Sequence, residues 1–209
     1  MLNDAGFDRW ADAYEQSVRD AEAADSYPFA GYSRVLRAVC AEVPSVERPV
    51  ILDLGFGTGA LTAQLYDRGC EVWGQDFSPR MTALAQARMP EAHLFCGDFG
   101  AGLAAPLLEH RYDAIISTYA LHHLTDAGKL SLLRSLRGLL KPHGRILIGD
   151  VAFPDRAALD RCRRMSGEAW DEEEHYLVYE ELSPALPGST FKQLSSCAGL
   201  LTLAGKECS

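Results

Sequence analysis

The sequence has no apolar run near the ~20 residues that a membrane-spanning helix needs, so no membrane span is expected. Its start, Met1-Leu2-Asn3-Asp4-Ala5-Gly6-Phe7-Asp8, lacks a basic segment followed by an apolar one. No secretory leader is expected there, and the expected location is cytoplasmic. C-x-x-C is absent, and the cysteines Cys40, Cys70, Cys96, Cys162, Cys197 and Cys208 show no zinc-like spacing with histidine. They read as reduced thiols, and no metal site is expected. Basic side chains are scarce: 20 Lys and Arg face 29 Asp and Glu, a net charge of −9. A field of that sign repels phosphate backbones and anionic lipid, so neither nucleic acid nor a membrane is an expected partner. Repeats and low-complexity segments are missing too, which excludes collagen, coiled coil and disorder as the main architecture. What remains is 47% apolar and 23% charged over 209 residues, enough for one domain spanning 1–209 with a real core.

Residues 1–44 read as a helical cap. Phe7, Trp10, Tyr14 and Val18 recur at helical spacing, Pro28 breaks the run, and Tyr32, Val35, Leu36 and Val39 suggest a second helix ending before Pro44. From Pro49 strands and helices alternate through a core segment, 45–150. Expected strands are Val50–Leu54, Glu71–Gln75, Ala92–Cys96, Tyr112–Ser117 and Arg145–Gly149. Expected helices run from Thr58 to Tyr66, from Pro79 to Arg88, and through Leu130, Leu133, Leu136 and Leu140 until Gly144 stops the last. This βα alternation predicts an α/β fold, a mostly parallel sheet with helices on both faces. Residues 151–209 carry a charged, helix-like stretch over 155–182. A terminal strand pair is expected around Phe191–Leu194 and Gly199–Leu203.

The sharpest motif is Asp53-Leu54-Gly55-Phe56-Gly57-Thr58-Gly59, which follows a strand and opens a helix. Glycines there let the chain turn tightly and let a ligand lie against bare backbone. Two ligand classes compete. Gly55-x-Gly57-x-x-Ala60 satisfies a dinucleotide fingerprint, and Asp76 lies where that fold places its ribose-binding acid. Against a pyrophosphate, no Lys or Arg occurs from Pro49 to Asp67. Asp53, Asp76 and Asp98 instead put carboxylates at successive strand ends, where open α/β sheets bind ligands. S-adenosylmethionine has no phosphate. It carries a sulfonium, an ammonium, a ribose diol and an adenine amino group, all suited to carboxylates.

With Gly97-Asp98-Phe99, the segment Tyr112–Leu124 ending in Leu121-His122-His123-Leu124, and Leu139-Leu140-Lys141-Pro142-His143-Gly144-Arg145, the motifs resemble class I S-adenosylmethionine-dependent methyltransferases. Phe7-Asp8-Arg9-Trp10-Ala11-Asp12-Ala13-Tyr14-Glu15 resembles the opening helix of the YrrT-like bacterial group. The resemblance spans about Phe7 to Asp150. It implies a Rossmann-like, seven-stranded sheet whose last strand is antiparallel. It also implies roles. Gly55 and Gly57 approach the methionine moiety and ribose, within a loop that includes Phe56 and Gly59. Asp53 helps hold the amino group, and Asp76 takes the ribose hydroxyls beside Phe77. Asp98 accepts from the adenine amino group next to Phe99, and Ser117 and Thr118 line the methionine end.

His122, His123 and Tyr14 are the candidate catalytic residues. A neutral imidazole can take a proton from an acceptor, but the first reading of the pair is structural, one histidine packed under the sheet and bonded to backbone. Adjacent histidines lack an evident third metal ligand. Trp10, Tyr14, Tyr27, Phe29 and Tyr32 read either as packing or as a lid over the cofactor. The group Arg156–Arg164 and the run Asp171–Glu174 read first as solvated faces. His175, Tyr176 and Tyr179 are possible acceptor contacts. The expected activity is methyl transfer from S-adenosylmethionine to a small-molecule O, N or S acceptor by in-line displacement, in a monomer or homodimer. The alternatives are an NAD(P)-dependent oxidoreductase and a non-catalytic S-adenosylmethionine-binding module.

Overall fold

The computed structural model describes residue 18 and residues 20–205. Tyr14, Trp10 and most of the first expected helix lie outside these, as does Cys208. The first helix described in full is α1, Tyr32–Glu42. Then come β1 (Val50–Leu54), α2 (Thr62–Asp67), β2 (Glu71–Asp76), α3 (Pro79–Arg88), β3 (His93–Cys96), α4 (Ala105–Leu108) and β4 (Tyr112–Thr118). A short 3-10 turn, Leu121–His123, leads to α5 (Asp126–Arg137), β5 (Leu140–Phe153), α6 (Arg156–Ser166), β6 (Leu177–Val178), α7 (Tyr179–Leu182), β7 (Ser189–Gln193) and β8 (Ala198–Ala204).

The sheet order is β3-β2-β1-β4-β5-β8-β7, with two-residue β6 pairing β5 off the main path. Strands β1 to β5 pair in parallel, and β8 runs antiparallel between β5 and β7. A sheet covered on both faces needs strands apolar at nearly every position. β1 and β4 meet this with Val-Ile-Leu and Ala-Ile-Ile runs. Neighbouring residues then serve opposite faces. Ile51, Ile116 and Leu147 pack with Val35, Val39 and Leu65 on one side. Leu52, Ile115, Ile146 and Ile148 pack with Leu107, Leu133 and Leu136 on the other. α1 lies so close to β5 that a Cβ on Gly149 would sit 2.5 Å from a Val35 methyl, so only glycine fits there.

Several expected boundaries move. α2 starts at Thr62 rather than Thr58, because Gly57 and Gly59 take positive φ (55° and 80°) and residues up to Leu61 form turns. α3 matches its expected span, with Ser78 Oγ accepting from the Met81 N–H at its start. The helix expected to reach Gly144 ends at Arg137, and Leu140 already belongs to β5. Gly144 sits inside that strand, where the β4–β5 register shifts and a Cβ would lie 2.8 Å from the Tyr112 carbonyl. The stretch over 155–182 is only partly helical: after α6 it becomes turns, β6 and one turn of helix. Among the described residues no helix is long and apolar enough to cross a membrane.

Candidate functional site

Parallel topology brings the carboxyl ends of β1, β2, β3 and β4 to one edge, together with the loops that follow them. Asp53, the fourth residue of β1, is buried. Its Oδ2 accepts from Thr62 Oγ at 2.5 Å, while its Oδ1 has no partner among the described residues. Burial pushes its carboxyl up to about 7; the Thr62 hydrogen bond pulls it down and the charge of nearby Asp76 adds to the rise.

The glycine loop is strapped to β2 by Asp76. One Asp76 oxygen accepts from the Gly57 N–H at 2.8 Å and the other from the Ser78 N–H at 2.9 Å. Burial raises this carboxyl, and the two N–H donors offset part of the rise. The loop glycines divide by role. Gly55, at φ 74°, packs so tightly that a Cβ would lie 2.4 Å from the Ala120 methyl. Gly57, at φ 55°, has nothing described within 4 Å of where a Cβ would stand, so its backbone lies bare. Phe56 is buried against Gly74, and Phe99 is buried beside Gly55.

The other expected cofactor residues are less uniform. Asp98 is exposed after β3 and closes a turn by accepting from the Gly100 N–H at 2.7 Å. Phe77 and Thr118 are half-buried. Ser117 is buried, and its Oγ donates to the Leu54 carbonyl at 2.7 Å, tying β4 to β1. Gly59, with φ 80°, faces Met89 and Ala85 of the neighbouring helix region.

A second polar group forms just beyond the end of β4, against Asp150 of β5. His122 Nδ1 lies 2.6 Å from Asp150 Oδ1. Asp150 Oδ2 also accepts from the Leu121 and His122 N–H groups, at 3.0 and 3.2 Å, and Oδ1 from Val151 N–H at 2.7 Å. Burial alone would raise the Asp150 carboxyl, but the adjoining His122 ring and these donors hold it below its ordinary value. For His122 burial opposes protonation, and the Asp150 carboxylate overcomes it, so the ring's pKa rises. His123 Nδ1 lies 3.0 Å from both oxygens of Glu174. The two histidine ring centres are 4.2 Å apart.

Two ties fix the loop bearing Glu174 to the histidine turn. The His175 N–H donates to the His122 carbonyl at 2.8 Å. The fully buried Lys129 ammonium bridges the Leu124 and His175 carbonyls at 2.7 and 2.5 Å and pairs with Asp126 at 3.0 Å. Around this group stand aromatic rings: Tyr27 stacks on Trp170 with centres 5.0 Å apart, and Trp170 meets Tyr176 edge-on at 4.7 Å. Of the aromatic extension, Phe29 and Tyr32 pack on Tyr119, 5.3 and 5.2 Å between ring centres. Asp150, Glu174 and Lys129 were not among the expected site residues. A lone acid inside the apolar β5 run, just after Gly149, was the one available signal, for Asp150.

Comparison with known proteins places this geometry. A family model described as a methyltransferase domain matches residues 51–144. An uncharacterized methyltransferase of Geobacillus thermodenitrificans is 39% identical over 153 residues, covering 73% of this chain and 68% of the relative. The uncharacterized methyltransferase YrrT of Bacillus subtilis is 30% identical over 195 residues, covering 88% and 87%. Among solved structures, a DhpI complex with SAH superposes with a TM-score of 0.70 at 17% identity, covering 98% of this chain and 96% of that one. Magnesium protoporphyrin IX methyltransferase of Synechocystis with bound SAH gives 0.66 at 18% identity, covering 85% of each. The solved structures support the fold, and the sequence relatives decide between the two ligand classes that the glycine pattern left open. The chain belongs to the class I S-adenosylmethionine-dependent methyltransferases, in the YrrT-like group.

Proposed function

We propose that this enzyme methylates a small molecule at an O, N or S atom, with Asp53, the glycine loop and Asp76 holding the methyl donor. The observation that carries the assignment is the spare oxygen of Asp53. A buried carboxylate oxygen without a partner is costly unless a ligand supplies the donor. An ammonium group matches it in charge and in hydrogen-bond sense. Gly57, in the loop that follows β1, offers bare backbone. Asp76 already accepts two N–H bonds, yet a carboxylate has about four acceptor positions, so it retains capacity for a ribose diol. Phe77, Phe99, Asp98 and Thr118 ring the same edge and suit the remaining parts of the nucleoside. Gly55, Phe56, Gly59 and Ser117 support the loop from beneath.

When bound, the donor supplies an electrophilic methyl on a good leaving group. The protein's share is alignment and exclusion of water. A thiolate acceptor needs no base. A hydroxyl must lose a proton, and we assign its activation to the group formed by His122, His123, Asp150 and Glu174 at the sheet edge. Tyr27, Trp170 and Tyr176 give an acceptor apolar ring faces. The test is product formation: labelled donor is incubated with the protein and a panel of hydroxyl, amine and thiol compounds, and methylated product is sought by mass spectrometry. Label transfer abolished by Asp53→Asn or Asp76→Ala supports the assignment. Donor binding without transfer to any class would favour a non-catalytic module, and no donor binding would remove the assignment altogether.

A further inference from the structure

We propose that His122, His123 and Glu174 bind a zinc-class divalent cation, which holds and deprotonates the methyl acceptor. A ring nitrogen of each histidine and a Glu174 oxygen lie within 4.8 Å of one another. Two donors about 2.1 Å from one ion stand about 3.0 to 3.4 Å apart, depending on the coordination angle. His123 Nδ1 and the Glu174 oxygens already have that spacing, at 3.0 Å. A side-chain adjustment of about 1–2 Å brings in the third donor.

His122 is set up as a ligand in a specific way. Its Nδ1 lies 2.6 Å from Asp150 Oδ1, and with the proton held on that side the neutral ring offers Nε2 to an ion. A carboxylate behind a histidine fixes the ring and makes the opposite nitrogen more basic, as the outer shell of metal-binding histidines generally does. The donors come from two separate chain segments, and those segments are held together before any ion arrives. Lys129 bridges the carbonyls of Leu124 and His175, and the His175 N–H binds the His122 carbonyl. The charge balance also favours a cation: Asp150 and Glu174 face the rings, and the Lys129 ammonium is already paired with Asp126. Two imidazoles and one carboxylate suit borderline first-row ions, whereas magnesium and calcium prefer oxygen donors. Three protein donors leave a coordination position open, the arrangement of catalytic rather than structural sites. An acceptor hydroxyl or thiol entering that position loses its proton to solvent, because the ion stabilises the oxyanion or thiolate. No oxidant or reductant is required.

The role for the ion in acceptor activation rests on the methyltransferase assignment; the binding of the ion does not. Protein stripped with a chelator is titrated with Co²⁺ and followed by absorbance and calorimetry. The expected result is one Co²⁺ per chain with d–d bands and no thiolate-to-cobalt charge-transfer band, which excludes capture by the cysteines. Glu174→Gln and His123→Ala should each weaken binding at least tenfold, and Mg²⁺ should not compete. Stripped wild type and both variants are also titrated with S-adenosylhomocysteine, which reports whether they are folded and whether the donor site works. No stoichiometric Co²⁺ binding, a thiolate band carrying it, or wild-type affinity in both variants overturns the metal site while leaving the donor site standing. Loss of S-adenosylhomocysteine binding in stripped wild type would instead count against the methyltransferase assignment.

Discussion

Replacing Asp53 with Asn separates the demands of binding from those of stability. The Asp53 carboxyl is buried, and its pKa rises from 3.8 to about 7. The folded protein therefore holds this proton more tightly than the unfolded chain does. The stability this gives is fully present below pH 3.8 and is lost as pH rises through about 7. Within that window the unfolded chain releases one more proton than the folded one, so stability falls by about 1.4 kcal/mol per pH unit. Between pH 5 and pH 7 the loss at this one residue is about 2 kcal/mol. Asparagine has no such proton. It keeps an oxygen for the Thr62 hydroxyl, but puts an NH₂ group where the spare oxygen stood, at about 1–3 kcal/mol. Asp53→Asn should thus gain about 2–3 kcal/mol relative to wild type between pH 5 and pH 8, and approach or exceed it in stability at the upper end. Urea unfolding of the ligand-free protein at several pH values measures this. Calorimetry with S-adenosylhomocysteine should show the opposite trend for function: wild-type affinity rises with pH toward 8, and the variant binds weakly with no such dependence. Parallel stability curves for the two proteins would refute the assignment of a raised carboxyl to Asp53.

Asp76→Ala should weaken S-adenosylhomocysteine binding by about 1.5–3 kcal/mol, roughly ten- to hundredfold, the range for a hydrogen bond to a charged group; unchanged affinity in calorimetry would remove Asp76 from the site. The two loop glycines should respond differently to alanine. Gly57→Ala meets only the left-handed backbone strain of about 1–2 kcal/mol and should retain a fold that binds the donor poorly. Gly55→Ala adds a collision with the Ala120 methyl, about 1–3 kcal/mol more, so its urea midpoint should drop further. Lys129→Met leaves the Leu124 and His175 carbonyls without their donor, and should lower stability by roughly 2–5 kcal/mol in urea unfolding.

Much of the fold was legible because burial on both faces writes itself as unbroken apolar runs. Val50–Leu54 and Tyr112–Thr118 could hardly be anything but central parallel strands. The places that misled were those where glycine changed the local rule. Gly57 and Gly59 delay α2, and Gly144 marks an irregularity within β5 rather than a helix stop. The Asp53 loop and Asp76 were visible because each sits at the end of an apolar strand, the loop with its glycines and Asp76 one βα unit later. The partners of the histidines were not visible. Asp150 lies 28 residues from His122 and Glu174 lies 51 from His123, so only the sheet order and the ties through Lys129 bring them together. A single lysine in a leucine-rich helix gives no sign in sequence that it will be fully buried. Asp98 shows the reverse case: its spacing was conspicuous, yet its side chain closes an exposed turn.

The central claim is that buried carboxylates at neighbouring strand ends grip a cationic nucleoside. A crystal structure with S-adenosylmethionine tests it most directly. The account predicts the ligand's ammonium group joined to the spare Asp53 oxygen, directly or through one water, and its ribose hydroxyls on Asp76. A donor bound elsewhere, with the Asp53 oxygen still unpartnered, would contradict it.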